Sequence, residues 1–138
     1  MQHPPVSDEE FARWTLGEAP QLQVLRHEVQ QAVLDGVVPA ADPADLAERL
    51  VIVVTELAGN ALVHGRAPVL VMLHRSNGDV VVDVVDGDRE SVPVVDDRRA
   101  SGEGGLGLVL TQRLAGRVGW YPTVAGKGVW ASFSLRAL

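Results

Sequence analysis

The pattern of apolar and polar positions predicts two long helices in the first half of the chain. One covers Ala19–Leu34, where apolar residues recur every three or four positions and Pro20 falls in the first turn. The other starts at Asp42, a good N-cap, and runs to about His64. Gly59 in its interior costs about 1 kcal/mol relative to alanine. Either another group approaches closely at that point, or the helix simply tolerates the glycine.

Alternating patterns predict five strands. They cover Phe11–Leu16, Val69–His74, Val80–Asp86, Val118–Pro122 and Val129–Arg136. Asn77-Gly78 indicates a hairpin between the second and third strands, and Gly126-Lys127-Gly128 indicates one between the last two. The third strand is rich in valine on both faces, so one face should carry the helices and the other suggests a partner surface.

A stretch without helical or strand period, Gly87–Glu103, separates these hairpins, and loops of this length are usually functional lids or disordered segments. A third helix is expected over Gly104–Arg117. Antiparallel hairpins with helices on one face predict an α+β fold, a two-layer sandwich with a mixed, mostly antiparallel sheet and three helices on one face. We expect one domain, residues 11–138, after a flexible tail over residues 1–10.

Composition narrows the classes of function. The chain has 138 residues, is 46% hydrophobic and carries a formal net charge of −6, which argues against a nucleic-acid surface. It contains no cysteine, so we expect no disulfides and no thiolate chemistry, which fits a cytoplasmic location. No apolar run reaches the roughly 18–20 residues of a membrane span, and the N-terminus does not resemble a signal peptide.

Candidate chemistry begins on the second helix. Glu56, Asn60 and His64 are four residues apart and therefore lie on one stripe. A carboxylate can act as a base there, while an amide oxygen can help to hold a hydrated metal ion. The pair of acid and amide is common in helices, so its meaning depends on the rest of the chain.

A glycine-rich segment opens the third helix. Its residues are Gly102, Glu103, Gly104, Gly105, Leu106, Gly107 and Leu108. Such a segment can cradle a phosphate at the helix N-terminus, or can simply be a flexible hinge. The G-x-G-x-x-G match lacks the strand before it and the acid after it that a dinucleotide fold requires, and Gly126-Lys127-Gly128 lacks the hydroxyl of a Walker A loop.

Asp86 ends the valine-rich strand. A half-buried carboxylate there could accept a hydrogen bond from an exocyclic amine such as adenine N6. Alternatively, Asp86 is an ordinary turn residue before Gly87.

Three segments together resemble the N, G1 and G2 boxes of the GHKL ATPase superfamily: TELAGNALVHG, VVDVVDGD and GEGGLGLVL, in that order. The short chain and its ending look most like the anti-sigma-factor serine/threonine kinases of actinobacteria. The resemblance implies that Asn60 binds Mg²⁺, that Glu56 is the general base and that Asp86 reads adenine. It also implies that His64 lies near the phosphates of ATP. The expected phosphate-binding residues are Gly102, Gly104, Gly105, Leu106, Gly107 and Leu108.

The resemblance further implies an ATP-Mg-dependent regulatory kinase that phosphorylates an anti-anti-sigma (STAS-type) protein and binds a sigma factor as a homodimer, and so regulates transcription without contacting nucleic acid or membrane. Two positions depart from the pattern. Asp88 stands where a glycine is usual, and Gly128 stands in place of a threonine that assists adenine binding. These changes leave open a nucleotide-binding module that acts by protein contact alone, and a stand-alone ATPase also stays open.

Overall fold

The computed structural model describes residues 2–88 and 105–136, and the side chains of residues 105–109 lie outside the described part. The elements in chain order are β1 (Glu9–Leu16), α1 (Gln21–Leu34), α2 (Pro43–His64), β2 (Val69–Ser76), β3 (Asp79–Asp86), α3 (Gly105–Leu114), β4 (Arg117–Pro122) and β5 (Lys127–Ser134). The predicted order of helices and strands is confirmed. All but the first two residues of the predicted lid, Gly87–Glu103, lie outside the described residues.

The strands form one sheet in the order β1-β2-β3-β5-β4, and all four described pairings are antiparallel. Apolar side chains of the helices and of one sheet face make a single core. Its fully buried members include Leu25, Val29, Leu50, Val53, Val82 and Phe133. α2 contacts β2, β3 and β5, so it lies over the centre of the sheet. The predicted two-layer α+β architecture is thereby confirmed, but the predicted mixed sheet is corrected, because every described strand pair is antiparallel.

α2 has the predicted boundaries. The side chain of Asp42 accepts a hydrogen bond from the Asp45 N–H at 3.2 Å, and Pro43 is the first helical residue. A Cβ added to Gly59 would lie 3.9 Å from Leu22 Cδ1, which is ordinary van der Waals contact. Outside the helix's own backbone no closer group approaches Gly59 among the described residues, so the helix simply tolerates this glycine.

Two helix boundaries differ from prediction. α1 starts at Gln21, and Pro20 is its N-cap residue instead of lying in its first turn. The Gln21 side chain accepts hydrogen bonds from the N–H groups of Gly17 and Glu18, which closes the turn before the helix. α3 ends at Leu114 because the Gly116 N–H already donates to the Ser132 carbonyl in β5, at 2.7 Å.

Of the two predicted hairpin turns, one is confirmed and one is corrected. Asn77 and Gly78 have φ of 48° and 85°, as the predicted Asn-Gly turn requires. The last turn lies at Thr123–Gly126, earlier than predicted, and the Thr123 hydroxyl accepts the Gly126 N–H at 2.8 Å. As a result β5 begins at Lys127, directly opposite Asp86 of β3.

The N-terminal residues cross the outer face of the sheet, the face opposite the helices. The Gln2 N–H donates to the Trp120 carbonyl of β4 at 2.7 Å, and the Asp8 N–H donates to the Arg75 carbonyl of β2 at 2.8 Å. Between them lie β5 and β3, and the indole of Trp130 donates to the Gln2 carbonyl at 2.9 Å. We predicted a loose tail over residues 1–10, whereas β1 already begins at Glu9 and the preceding residues cover part of the valine-rich face.

None of the described helices combines the length and the hydropathy needed to cross a membrane.

Candidate functional site

One stripe of α2 carries polar side chains beside its buried face. Glu56 and Asn60 are half-buried and His64 is exposed. Within residues 2–88 and 105–136, none of the three side chains has a hydrogen-bond or ion-pair partner. Their spacing puts neighbouring Cβ atoms about 5–6 Å apart. Unpartnered polar groups at half-buried positions are available to a ligand.

Asp86 lies beside the end of this stripe. It is the last residue of β3, faces the helix layer with Val84 and is 5% exposed. A Cβ added to Gly65, the residue after α2, would lie 2.5 Å from Asp86 Oδ2. The close approach therefore requires glycine at position 65. The Gly87 N–H also donates to the Arg66 carbonyl at 2.9 Å, so the end of α2 and the end of β3 are fixed to each other.

The Asp86 carboxylate is paired with Lys127, which sequence reasoning did not place in the site. Lys127 Nζ donates to Asp86 Oδ1 at 3.2 Å and lies 3.1 Å from Oδ2. Asp86 Oδ1 also accepts the Asp88 N–H at 2.7 Å. Both side chains are at least nine-tenths buried. The position of Lys127 opposite Asp86 in the sheet could have identified it. The sequence did not show this position because β5 was predicted to start two residues later.

The two departures from the family pattern acquire a structural context. Asp88 Oδ2 lies 3.9 Å from Lys127 Nζ, so a cation offsets this additional acid. Gly128 pairs with Val85 and Tyr121 and therefore faces the outer side of the sheet. A Cβ at position 128 would overlap the Tyr121 ring. The assignment of Gly128 to the missing threonine is corrected, because this position points away from Asp86.

The glycine-rich segment is described only in part. Gly102 and Gly104 lie outside the described residues, and Gly105, Leu106, Gly107 and Leu108 form the first turn of α3. The predicted helix start is confirmed to within one residue. α3 packs against α2, and Arg49 Nη1 donates to the Leu114 carbonyl at 3.1 Å. Phosphate binding by this segment stays a prediction.

A second polar cluster lies on the outer face, away from α2. The Tyr121 hydroxyl donates to Asp83 Oδ2 at 2.7 Å, and His74 Nε2 lies 3.9 Å from the same oxygen. Burial raises the pKa of the Asp83 carboxyl, although Tyr121 and His74 act in the opposite direction. Burial and the neighbouring Asp83 carboxylate raise the pKa of Tyr121. Within the part of the chain that the structure describes, the buried atoms His74 Nε2 and Asp83 Oδ1 have no hydrogen-bond partner.

Two solved structures share the fold. A chain of the SiaB–SiaC complex from Pseudomonas aeruginosa has a TM-score of 0.63 and 16% sequence identity, over 91% of this chain and 90% of that chain. The histidine kinase domain of the blue-light activated histidine kinase from Erythrobacter litoralis EL346 has a TM-score of 0.50 and 21% identity, over 97% of this chain and 66% of that chain. At these identities the likeness shows the fold alone.

The comparison with curated proteins gave no match. The family model of the histidine kinase-like ATPase domain, in contrast, matches residues 18–133. That range contains α2, Asp86 and the glycine-rich segment. Because the match covers most of the chain and agrees with the fold, the protein belongs to the histidine kinase-like ATPase family of the GHKL superfamily.

Proposed function

We propose that this protein is an ATP-Mg-dependent serine/threonine protein kinase of the anti-sigma-factor type. The observation that carries the proposal is the corner between α2 and β3. There Glu56 and Asn60, which have no partner among the described residues, share a helix stripe that ends beside the buried Asp86. An acid that can accept a proton, an amide that can hold a metal ion and a carboxylate that can bind adenine together suit nucleotide-dependent phosphoryl transfer.

In this proposal each element of the site takes one part of the nucleotide. Asp86 Oδ2 accepts a hydrogen bond from the exocyclic amine of adenine. Backbone N–H groups of Gly105 and Gly107, at the start of α3, bind phosphate oxygens together with Gly102 and Gly104. His64 lies near the phosphates.

Asn60 would hold Mg²⁺. Its half-buried side chain without a described partner fits this ion, which keeps several waters and needs only one or two protein oxygens besides the phosphates. The ion would neutralise charge on the phosphate oxygens.

Transfer then requires a base for the acceptor. The serine or threonine oxygen of the partner attacks the γ-phosphorus, the bond from that phosphorus to the β-phosphate oxygen breaks, and ADP leaves. The hydroxyl proton passes to Glu56, which lies one helical turn from Asn60. Positioning and charge stabilisation supply most of the acceleration, so a small site suffices.

The proposed partners are an anti-anti-sigma protein of the STAS type, which is phosphorylated, and a sigma factor, which is bound by the kinase acting as a homodimer in the cytoplasm. The similar SiaB–SiaC structure is itself a complex of two proteins, which supports a partner protein for this chain as well. A test is transfer of the γ-phosphate of labelled ATP to candidate STAS proteins. Label on a serine or threonine of one candidate is expected, and label on none of them contradicts the kinase proposal.

The alternative is a nucleotide-binding module that regulates a partner without phosphorylating it. Asp88 favours this alternative, because it adds a carboxylate within 3.9 Å of the Lys127 ammonium beside the base-reading Asp86. ATP binding together with partner binding, but without transfer, is the result that this alternative predicts.

A further inference from the structure

The pair formed by Asp86 and Lys127 offers a hydrogen-bond donor and an acceptor side by side. Lys127 has three N–H donors, and one of them donates to Asp86 Oδ1, while Oδ2 is an ion-pair partner 3.1 Å from Nζ. Asp86 Oδ1 also accepts the Asp88 N–H, whereas Oδ2 accepts no hydrogen bond among the described residues. Asp88 Oδ2 lies 3.9 Å from Nζ, which is beyond hydrogen-bond distance. Among the described residues an N–H of Lys127 and a lone pair of Asp86 Oδ2 therefore remain available, on atoms 3.1 Å apart.

Neither group has much access to water. The side chains of Lys127 and Asp86 are 10% and 3% exposed, so the remaining donor and acceptor are poorly solvated. Buried polar groups of this kind favour a ligand that satisfies both of them. A base that binds to Asp86 also comes within reach of Lys127, because the two residues are direct cross-strand partners.

A lone carboxylate selects a purine with an amine at position 6, because a 6-oxo group would oppose its negative charge. The ammonium of Lys127 changes this rule. Hypoxanthine and guanine present the O6 acceptor next to the N1–H donor, which complements an ammonium next to a carboxylate. Adenine presents the N6 donor, which Asp86 accepts as before.

We propose that Lys127 is a specificity-determining residue that lets the site bind 6-oxopurine nucleotides, such as inosine and guanosine triphosphates, in addition to ATP. In that complex Lys127 Nζ donates to O6 and Asp86 Oδ2 accepts from N1–H. This inference rests on the proposed nucleotide site, but it adds a class of ligand and a role for a residue outside the three sequence motifs.

The test compares ATP with inosine triphosphate, which differs from ATP only at position 6 and N1 of the base. Calorimetric titration of the whole protein with each nucleotide and Mg²⁺ should give dissociation constants within about tenfold of each other. Lys127→Met should weaken the binding of inosine triphosphate by roughly 10- to 100-fold more than the binding of ATP, because O6 loses its hydrogen-bond donor and faces the carboxylate. Lys127→Arg, which keeps a donor, should restore much of the difference.

A matched control distinguishes recognition of the base from a general effect of removing a positive charge. Arg66→Met removes an exposed cation near the same corner, so it should leave the ratio of the two constants unchanged. If ATP binds and inosine triphosphate binds more than about 100-fold more weakly to the unaltered protein, this inference is wrong while the proposed function stands. Equal losses for both nucleotides in Lys127→Met also overturn it. If neither nucleotide binds, the proposed function fails with it.

Discussion

Among single residues, Glu56 distinguishes nucleotide binding from phosphotransfer. Glu56→Gln keeps the shape of the side chain but removes the base. We expect phosphotransfer to fall by roughly 10²- to 10⁴-fold while ATP affinity stays within about twofold. Glu48→Gln, on an exposed part of the same helix, is the matched control and should transfer normally. Loss of ATP binding in Glu56→Gln would assign this residue to the nucleotide instead of the hydroxyl.

Asp86→Asn tests the other half of this separation. The amide cannot offer the same charged acceptor to the base, so we expect ATP affinity to fall by about tenfold or more. Transfer measured at saturating ATP should change much less. Isothermal titration gives the first quantity and single-turnover transfer the second. Unchanged affinity would mean that Asp86 is a turn residue paired with Lys127 and does not bind the base.

Asp83 gives a prediction about stability and pH. Because burial raises its pKa in the folded state, the folded protein holds this proton more tightly than the unfolded chain does. The stabilisation that this tighter proton binding adds to the free energy of unfolding is therefore lost as the pH rises from the pKa of Asp83 in the unfolded chain through its raised pKa in the folded protein. Asp83→Asn still accepts from Tyr121 but carries no charge. Its stability relative to the unaltered protein should increase with pH across that window, as measured by urea unfolding. A difference that is constant or decreases with pH would contradict this.

The sequence predicted Glu56, Asn60 and Asp86 as candidates because helical spacing and strand ends are local properties. It could not predict Lys127, because the pairing of Lys127 with Asp86 depends on where β5 begins. That start is set by the Thr123–Gly126 turn, whose side-chain hydrogen bond has no periodic signature.

At the scale of elements, the end of α2 is the part most sensitive to added volume. Gly65→Ala would place a methyl group against the Asp86 carboxylate and the Ala61 carbonyl, so we expect weaker ATP binding and lower stability. Gly59→Ala meets only ordinary contact and removes a glycine from a helix interior, so it should stabilise the protein by up to about 1 kcal/mol. Thermal unfolding and ATP titration of both variants provide the comparison. The same outcome for both substitutions would contradict the assigned geometry.

The elements themselves were largely predictable. α2 has strong signals at its start, Asp42 and Pro43, and its predicted bounds are confirmed. α3 was predicted three residues too long at its C-terminal end, because its end depends on the hydrogen bond from the Gly116 N–H to the Ser132 carbonyl of β5, which has no local sequence signal. Tertiary hydrogen bonds decided the boundaries that periodicity could not.

At the scale of the whole molecule, the α+β architecture followed from the order of helices and hairpins, and the family match agrees with it. The path of the N-terminal residues across the outer face could not be predicted from the sequence. That path depends on contacts between Gln2 and residues 120 and 130, more than one hundred positions away, and the segment has no repeating pattern. A surface that looked free in the sequence is thus partly covered by the chain itself.

Isothermal titration of ATP into the purified protein with Mg²⁺ present measures whether the nucleotide binds, and the Asp86→Asn variant shows whether it binds at the corner between α2 and β3. We expect saturable binding of one nucleotide per chain, which is weakened by Asp86→Asn and retained by Glu56→Gln. No heat and no shift in thermal unfolding at millimolar ATP, or binding that is indifferent to Asp86→Asn, would contradict it.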